Sequence, residues 1–266
     1  MSTLDPIFHR LRNGCQTMAY PKGPPPTLSD RHGGALRVDG AKCAEGCSAC
    51  VAICPTEALQ RPPSGGPVAL DLGRCVFCSA CVEVCPSKAI THTGDHRMAV
   101  RRREDLILGA KGLEERRLAV ALDKKLHALF GRSLRLRQVS AGGCNACEAD
   151  TNVLGTIGWD LGRFGIQFVA SPRHADGLLI TGPVTANMRL ALKKTYDAVP
   201  DPKIVIAVGA CAIAGGPFVG SPQVANGADG VLPVDLYIPG CPPHPLTILD
   251  GLLRLLGRLE ERAKGS

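Results

Sequence analysis

A chain of 266 residues with 45% apolar content and a net charge of +7 is long enough for two domains of the common size, roughly 100 to 150 residues each. Aromatics make up only 4%, so the cores must be built from Val, Leu, Ile and Ala, and no apolar run reaches the roughly 18 residues a membrane span requires. The N-terminus MSTLDPIFHRLRNGC lacks the apolar core of a signal peptide; in a cytosolic chain, thirteen cysteines argue for metal or cluster ligation over disulfides.

Residues 1–34 read as an arm, with a short amphipathic start (Ile7, Phe8, Leu11) followed by the Pro/Gly-rich YPKGPPPTLSDRHGG, which cannot form a core of its own and is expected to lie against another domain or subunit. Residues 35–97 hold an approximate internal repeat rich in cysteine, split by RPPSGGP and expected to form two pseudo-symmetric halves. Residues 98–132 carry leucines at 106, 108, 113, 118, 122, 126 and 129, a spacing that suggests a helical linker broken near Gly109 and Gly112. Much of the positive charge falls here without interleaved aromatics, so it reads as a solvated helix surface or a contact with an acidic partner, and no nucleic-acid partner is expected. From 133 to 266, SLRLRQVS, IQFVA, GLLITG, KIVIAVG and VDLYIPG alternate with helical stretches at about 186–197 and 245–262, the pattern of a parallel sheet flanked by helices. The expected fold class is therefore α/β, with a smaller α+β cysteine-rich domain ahead of a flavodoxin-like parallel-sheet domain.

The run CVFCSACVEVCP sets Cys75, Cys78, Cys81 and Cys85 at the C-x2-C-x2-C-x3-C-P spacing of two-cluster ferredoxins, in which the fourth cysteine reaches the neighbouring cluster. The expected sets are crossed: Cys75, Cys78 and Cys81 with Cys54, and Cys43, Cys47 and Cys50 with Cys85. In CAEGCSACVAICP one extra residue separates Cys43 from Cys47, and Gly46 is expected to absorb it through a positive φ. Paired zinc knuckles are the competing reading, opposed by the doubled Cys-Pro ends.

Outside that region stand Cys15, Cys144, Cys147, Cys211 and Cys241. Cys15 has no partner at useful spacing and reads as an ordinary thiol. The other four follow strand ends, where parallel sheets gather their loops, and four thiolates are the number a 4Fe-4S cluster needs. Unconnected thiols or a structural zinc, with His174 and His244 as substitute ligands, are the alternatives.

Residues 137–262, through GGCNACEAD, SPRHADGLLITGPVTANM, DPKIVIAVGACAIAGGPF and VDLYIPGCPPHP, resemble the small electron-transfer subunit shared by membrane-bound nickel–iron hydrogenases of the formate-hydrogenlyase type and, as the 20-kDa subunit, by respiratory complex I. Residues 1–95, with the YP of the arm, resemble the two-cluster ferredoxin subunit of the same complexes, so the chain looks like a fusion of the two. The resemblance implies three 4Fe-4S clusters, the last held by Cys144, Cys147, Cys211 and Cys241 beside the active site of a large partner subunit. Complex I members usually carry adjacent cysteines where this chain has C-x-x-C, which favours the hydrogenase side over the quinone-reducing alternative. Ala146 and Asp150 depart from the Gly and Glu often found there. Glu148 matches an acidic position linked to proton movement, and Arg173 and His174 match a run near the terminal cluster or the partner interface. The resemblance further implies an oxidoreductase complex peripheral on the cytoplasmic face of the inner membrane, indirectly joined to membrane-arm subunits. Formate dehydrogenase, carbon monoxide dehydrogenase or a ferredoxin would be the donor.

Overall fold

A computed structural model describes residues 4–63, 65–108, 118–131 and 133–259. A short helix, α1 (Asp5–Asn13), opens the arm and buries none of its residues. The cysteine-rich part then runs β1 (Leu36–Val38), α2 (Ala49–Ile53), β2 (Leu59–Gln60), β3 (Ala69–Asp71), α3 (Ala80–Val84) and β4 (Ile90–His92). β1 pairs antiparallel with β4, tying the two ends of the repeat together. β3 lies between β2 and β5 (Ile107–Leu108), both antiparallel.

β5 comes from the stretch expected to be helical. Within 98–132, the described residues are helical only in a 3-10 turn at Arg103–Leu106 and in α4 (Lys124–Phe130); Gly109, Gly112 and Leu113 fall outside the described residues. The reason lies in the spacing: Leu106 and Leu108 are buried with Ile107 exposed between them, an alternation of two that suits a strand edge. Two arginines of the basic run are partly covered by the fold, while Arg97 and Arg102 are exposed. Arg103 forms a two-pronged pair with Asp71 at 2.9 and 2.6 Å, and Arg101 Nε donates to the Asp235 carbonyl at 2.7 Å.

The second domain is built on β6 (Leu134–Ser140), β7 (Ile166–Phe168), β8 (Gly177–Thr181), β9 (Ile204–Val208) and β10 (Leu236–Ile238), with α5 (Ala146–Val153), α6 (Ala186–Asp197), α7 (Ala210–Ala214) and α8 (Pro245–Leu255) between and after them. All pairings are parallel, and the spatial order β7-β6-β8-β9-β10 reproduces the 2-1-3-4-5 order of flavodoxin-like sheets. β8 and β9 are buried at every position, which is why residues 178–180 and 204–208 are aliphatic throughout and neither strand carries a charge. α8 stops at Leu255, short of the expected 262, because Gly257 takes a positive φ of 63° just past the helix.

Every residue of α8 is buried, so it must be covered on both sides. One cover is the sheet, through Ile238; another is Ala99, so close to Gly251 that a Cβ there would come within 2.8 Å of Ala99 Cβ. The arm supplies a polar cover: the Tyr20 hydroxyl donates to Asp250 Oδ1 at 3.0 Å, while Arg254 Nε donates to Oδ2 at 2.8 Å. The two domains are joined directly, since Val100 and Tyr237 exchange backbone hydrogen bonds of 3.0 and 2.9 Å.

Candidate iron–sulfur sites and their surroundings

The two halves of the cysteine-rich part place their ligands by the same local turns. Three residues beyond each Cys-Pro cysteine, Glu57 and Lys88 both hold positive φ (53° and 51°), and the next amide points back at the sulfur: Ala58 N donates to Cys54 Sγ and Ala89 N to Cys85 Sγ, each at 3.2 Å. Thr56 and Ser87 place hydroxyls beside the same sulfurs at 3.9 and 3.7 Å. One cavity is lined by Cys54, Cys75, Cys78 and Cys81, another by Cys43, Cys47, Cys50 and Cys85. These are the crossed sets that the spacing suggests.

Burial pushes the Cys75 thiol up to about 12 and Cys81 to about 11, with the charges of neighbouring cysteines adding to the effect. Such thiols stay protonated at neutral pH in the free chain and lose their protons on binding a metal. Four sulfurs around one apolar cavity, partly met by backbone N–H groups, fit a 4Fe-4S cluster in each half.

Gly46 has a positive φ of 74°, as expected, but Phe77 at the matching place before Cys78 has one too (54°). A positive φ before the second cysteine is therefore common to both halves and does not by itself accommodate the extra residue. What differs is Arg61, whose guanidinium donates to the carbonyls of Ala44 (3.3 Å), Cys47 and Gly66, holding the lengthened loop. Spacing alone could not single out this residue, because it lies eighteen positions beyond Cys43 in the turn-rich RPPSGGP.

In the second domain, Cys144 follows β6, Cys147 sits in the first turn of α5, Cys211 in the first turn of α7, and Cys241 follows β10. Their loops touch. Gly209 N donates to the Ile238 carbonyl (2.9 Å) and Ala210 N to the Gly240 carbonyl (2.8 Å). Gly209 (φ 90°) lies so near that an added Cβ would stand 2.5 Å from Cys147 Sγ, and one on Gly216 would stand 2.7 Å from Cys211 Sγ. Burial raises Cys147 to about 12 and Cys211 to about 11, and in both cases the charge of Cys241 and Cys144 adds to it. Cys147 and Cys211 are half-buried, Cys144 and Cys241 exposed. The four thiols thus form one group at the carboxyl edge of the sheet, covered by protein below and open above, and the donor set fits a third cluster.

Glu148, directly after Cys147, is buried and accepts a 2.6 Å hydrogen bond from the Thr181 hydroxyl at the end of β8. Arg173 and His174 are exposed in a 3-10 turn. Their loop is tied at both ends to the opposite half of β6, by Val169 N to the Leu136 carbonyl and Asp176 N to the Arg135 carbonyl, and among the described residues neither side chain is hydrogen bonded to the four cysteines. His244 caps α8 by accepting from Leu246 N at 3.1 Å, and its ring packs edge-on to His32 and Trp159; it is not a substitute ligand here. Cys15 is exposed on the arm.

A two-part cysteine repeat joined to a five-stranded parallel sheet with four further thiols at its carboxyl edge defines an iron–sulfur electron-transfer component of an oxidoreductase complex. Residues 42–90 match the 4Fe-4S dicluster domain, and residues 144–255 match the NADH ubiquinone oxidoreductase, 20 Kd subunit family. The chain belongs to the latter family and carries the dicluster domain ahead of it. It is 44% identical over 147 residues to the probable membrane-bound hydrogenase subunit mbhJ of Pyrococcus furiosus, covering 54% of this chain and 88% of that one. It is 47% identical over 131 residues to formate hydrogenlyase subunit 7 of Escherichia coli, covering 49% of this chain and 51% of the relative, so it spans about half of that protein. Against an NADH-quinone oxidoreductase subunit of Clostridium beijerinckii it is 49% identical over 114 residues, 42% of this chain and 68% of that one. Among the described residues, no helix is long and apolar enough to cross a membrane.

Proposed function

We propose that this chain relays electrons through three 4Fe-4S clusters to or from the active site of a large partner subunit in a nickel–iron hydrogenase of the formate-hydrogenlyase type. Cys43, Cys47, Cys50 and Cys85 hold one cluster, Cys54, Cys75, Cys78 and Cys81 a second, and Cys144, Cys147, Cys211 and Cys241 the third. Each cluster, when bound, supplies a one-electron carrier. The observation that carries the proposal is the meeting of the last four cysteines at the sheet edge with Cys144 and Cys241 exposed: a low-potential carrier needs cover from water, and a partner subunit would supply it.

The order along the chain rests on packing. Gly73, two residues before Cys75, lies against Ile213 of α7, and an added Cβ would come within 2.8 Å of Ile213 Cγ2. The Cys54/Cys75/Cys78/Cys81 set is therefore the inner one, next to the helix that bears Cys211. The Cys43 set is the outer one, with residues 44–46 exposed toward an incoming donor such as formate dehydrogenase, carbon monoxide dehydrogenase or a ferredoxin. Glu148, held by Thr181, handles protons beside the terminal site, while exposed Arg173 and His174 face the partner. The pairing of β5 with β3 supports a division into arm (1–34), dicluster domain (35–108), connector (109–132) and 20-kDa-type domain (133–266). The assembled complex sits on the cytoplasmic face of the inner membrane through its other subunits.

A second reading places the chain in a complex-I-like assembly, next to a quinone site, and is supported by the likeness to the NADH-quinone oxidoreductase relative; the C-x-x-C spacing of Cys144 and Cys147 favours hydrogen. Purification of the native complex separates them. Nickel in the large partner, with hydrogen evolved from a reduced dye, supports the hydrogenase; reduction of a quinone analogue without nickel overturns it.

A further inference from the structure

The two halves of the dicluster domain differ at one contact. In the inner set, the first cysteine of the motif, Cys75, accepts from the backbone amide two residues on, Phe77 N, at 3.3 Å. Its counterpart in the outer set is Cys43. There the loop is one residue longer, and the sulfur is met instead by Arg61, Nη2 to Sγ 3.7 Å. The fourth cysteines share one contact, Cys54 and Cys85 each accepting from the amide four residues on at 3.2 Å. At the first cysteine, then, the inner set has a neutral backbone N–H, whereas the outer set has an N–H that carries a full positive charge. The cation nearest in sequence to the inner set, Arg74, is directed to carboxylates, Glu57 at 3.6 Å and Asp71 at 3.9 Å.

The Arg61 guanidinium is fixed in this position. It donates to the Ala44, Cys47 and Gly66 carbonyls, and its Nε is buried with no hydrogen-bond partner among the described residues. A charge held against sulfur and partly withdrawn from water is weakly screened, and net charge and hydrogen bonds to sulfur are what set the potential of a given cluster type. Reduction adds one negative charge to the group held by the cysteines, so a fixed cation at Cys43 favours the reduced form.

We infer that Arg61 is a positioning residue of the outer site: it closes the lengthened Cys43–Cys47 loop and sets the reduction potential of the group held by Cys43, Cys47, Cys50 and Cys85 above that of its inner twin. The outer site is then the first of the pair to fill and acts as an electron store at the donor-facing end. This rests on the cluster assignment above and goes beyond it by ranking the two sites.

The test uses the assembled complex and reads iron per chain together with a redox titration followed by EPR. Arg61→Gln with full iron should lower the potential of one dicluster-domain signal and leave the other unchanged; full iron with neither signal moved overturns the inference. Should Arg61→Gln lose iron, the unmutated complex decides. Prepared with arginine 15N-labelled in the guanidinium, its first-reduced dicluster signal should show nitrogen coupling in pulsed EPR; coupling on the later signal, or on neither, overturns the inference. Failure of the cluster assignment looks different, because the unmutated chain would then lack the iron itself.

Discussion

The Thr181 hydroxyl donates to Glu148 Oε1 at 2.6 Å, joining the end of β8 to the residue that follows Cys147. Thr181 is fully buried and Glu148 nearly so, and the carboxylate is thereby aimed from the first turn of α5 toward the sheet. A buried carboxylate that has lost a hydrogen-bond donor costs roughly 1–3 kcal/mol. Thr181→Val should therefore destabilise the fold by about that amount, read from denaturant midpoints. Glu148→Gln should keep the iron content and slow turnover of the complex by about a hundredfold or more, in the range of a lost proton-transfer group. Unchanged turnover would remove Glu148 from the proton path.

Gly209 controls the space beside Cys147. Its φ of 90° and the 2.5 Å approach of an added Cβ to Cys147 Sγ leave no room for alanine. Gly209→Ala should lose the third cluster while sparing the dicluster domain, lowering iron by about four atoms per chain. Metal analysis and loss of one EPR signal are the readouts.

The arm is anchored by the same residues that make α8 unusual. Asp250 is 1% exposed and Arg254 7%, so the pair is almost wholly removed from water. Arg254→Met would strand a buried carboxylate and should cost about 3–5 kcal/mol. Tyr20→Phe removes only the hydrogen bond from the arm to Asp250 and should cost about 1 kcal/mol, with faster proteolysis of residues 21–34 as the local sign.

A histidine cluster makes stability depend on acid. Burial, reinforced by the charges of His32 and His96, brings His244 down to about 4, and burial lowers His32 and His96 as well. The unfolded chain takes up these protons near pH 6.5 and the folded chain only at lower pH. Stability from this source is whole above pH 6.5 and falls as the pH drops toward 4. His244→Asn keeps an acceptor for Leu246 N and removes the titration, so its stability should fall less steeply over that window. The difference, discounted because the ring is only half-buried, is about 1 kcal/mol, measured by denaturation at matched pH values.

The parts legible from the sequence are those written in runs and spacings. β8 and β9 read as strands because a doubly covered strand has no polar face, and the crossed cysteine sets follow from C-x2-C-x2-C-x3-C-P. The strand ends also brought Cys211 and Cys241 to Cys144 and Cys147. Less visible were features that depend on distant chain. The leucines of 98–132 suggest a helix, yet Leu108 pairs with Leu70 of β3, far back in the dicluster domain. α5 and α7 are too short to carry a period, although their first turns deliver Cys147 and Cys211. Arg61 acts through several hydrogen bonds to a loop about 14 to 18 positions earlier and Thr181 through one to Glu148, and nothing in their sequence neighbours announces this.

The proposed function needs three cubanes on one chain, two in the repeat and one at the sheet edge. Iron analysis of the anaerobically purified chain, set against protein concentration, tests it most directly. About twelve iron atoms per chain are expected. A value of about eight would contradict the third cluster, and zinc in place of iron would contradict the whole assignment.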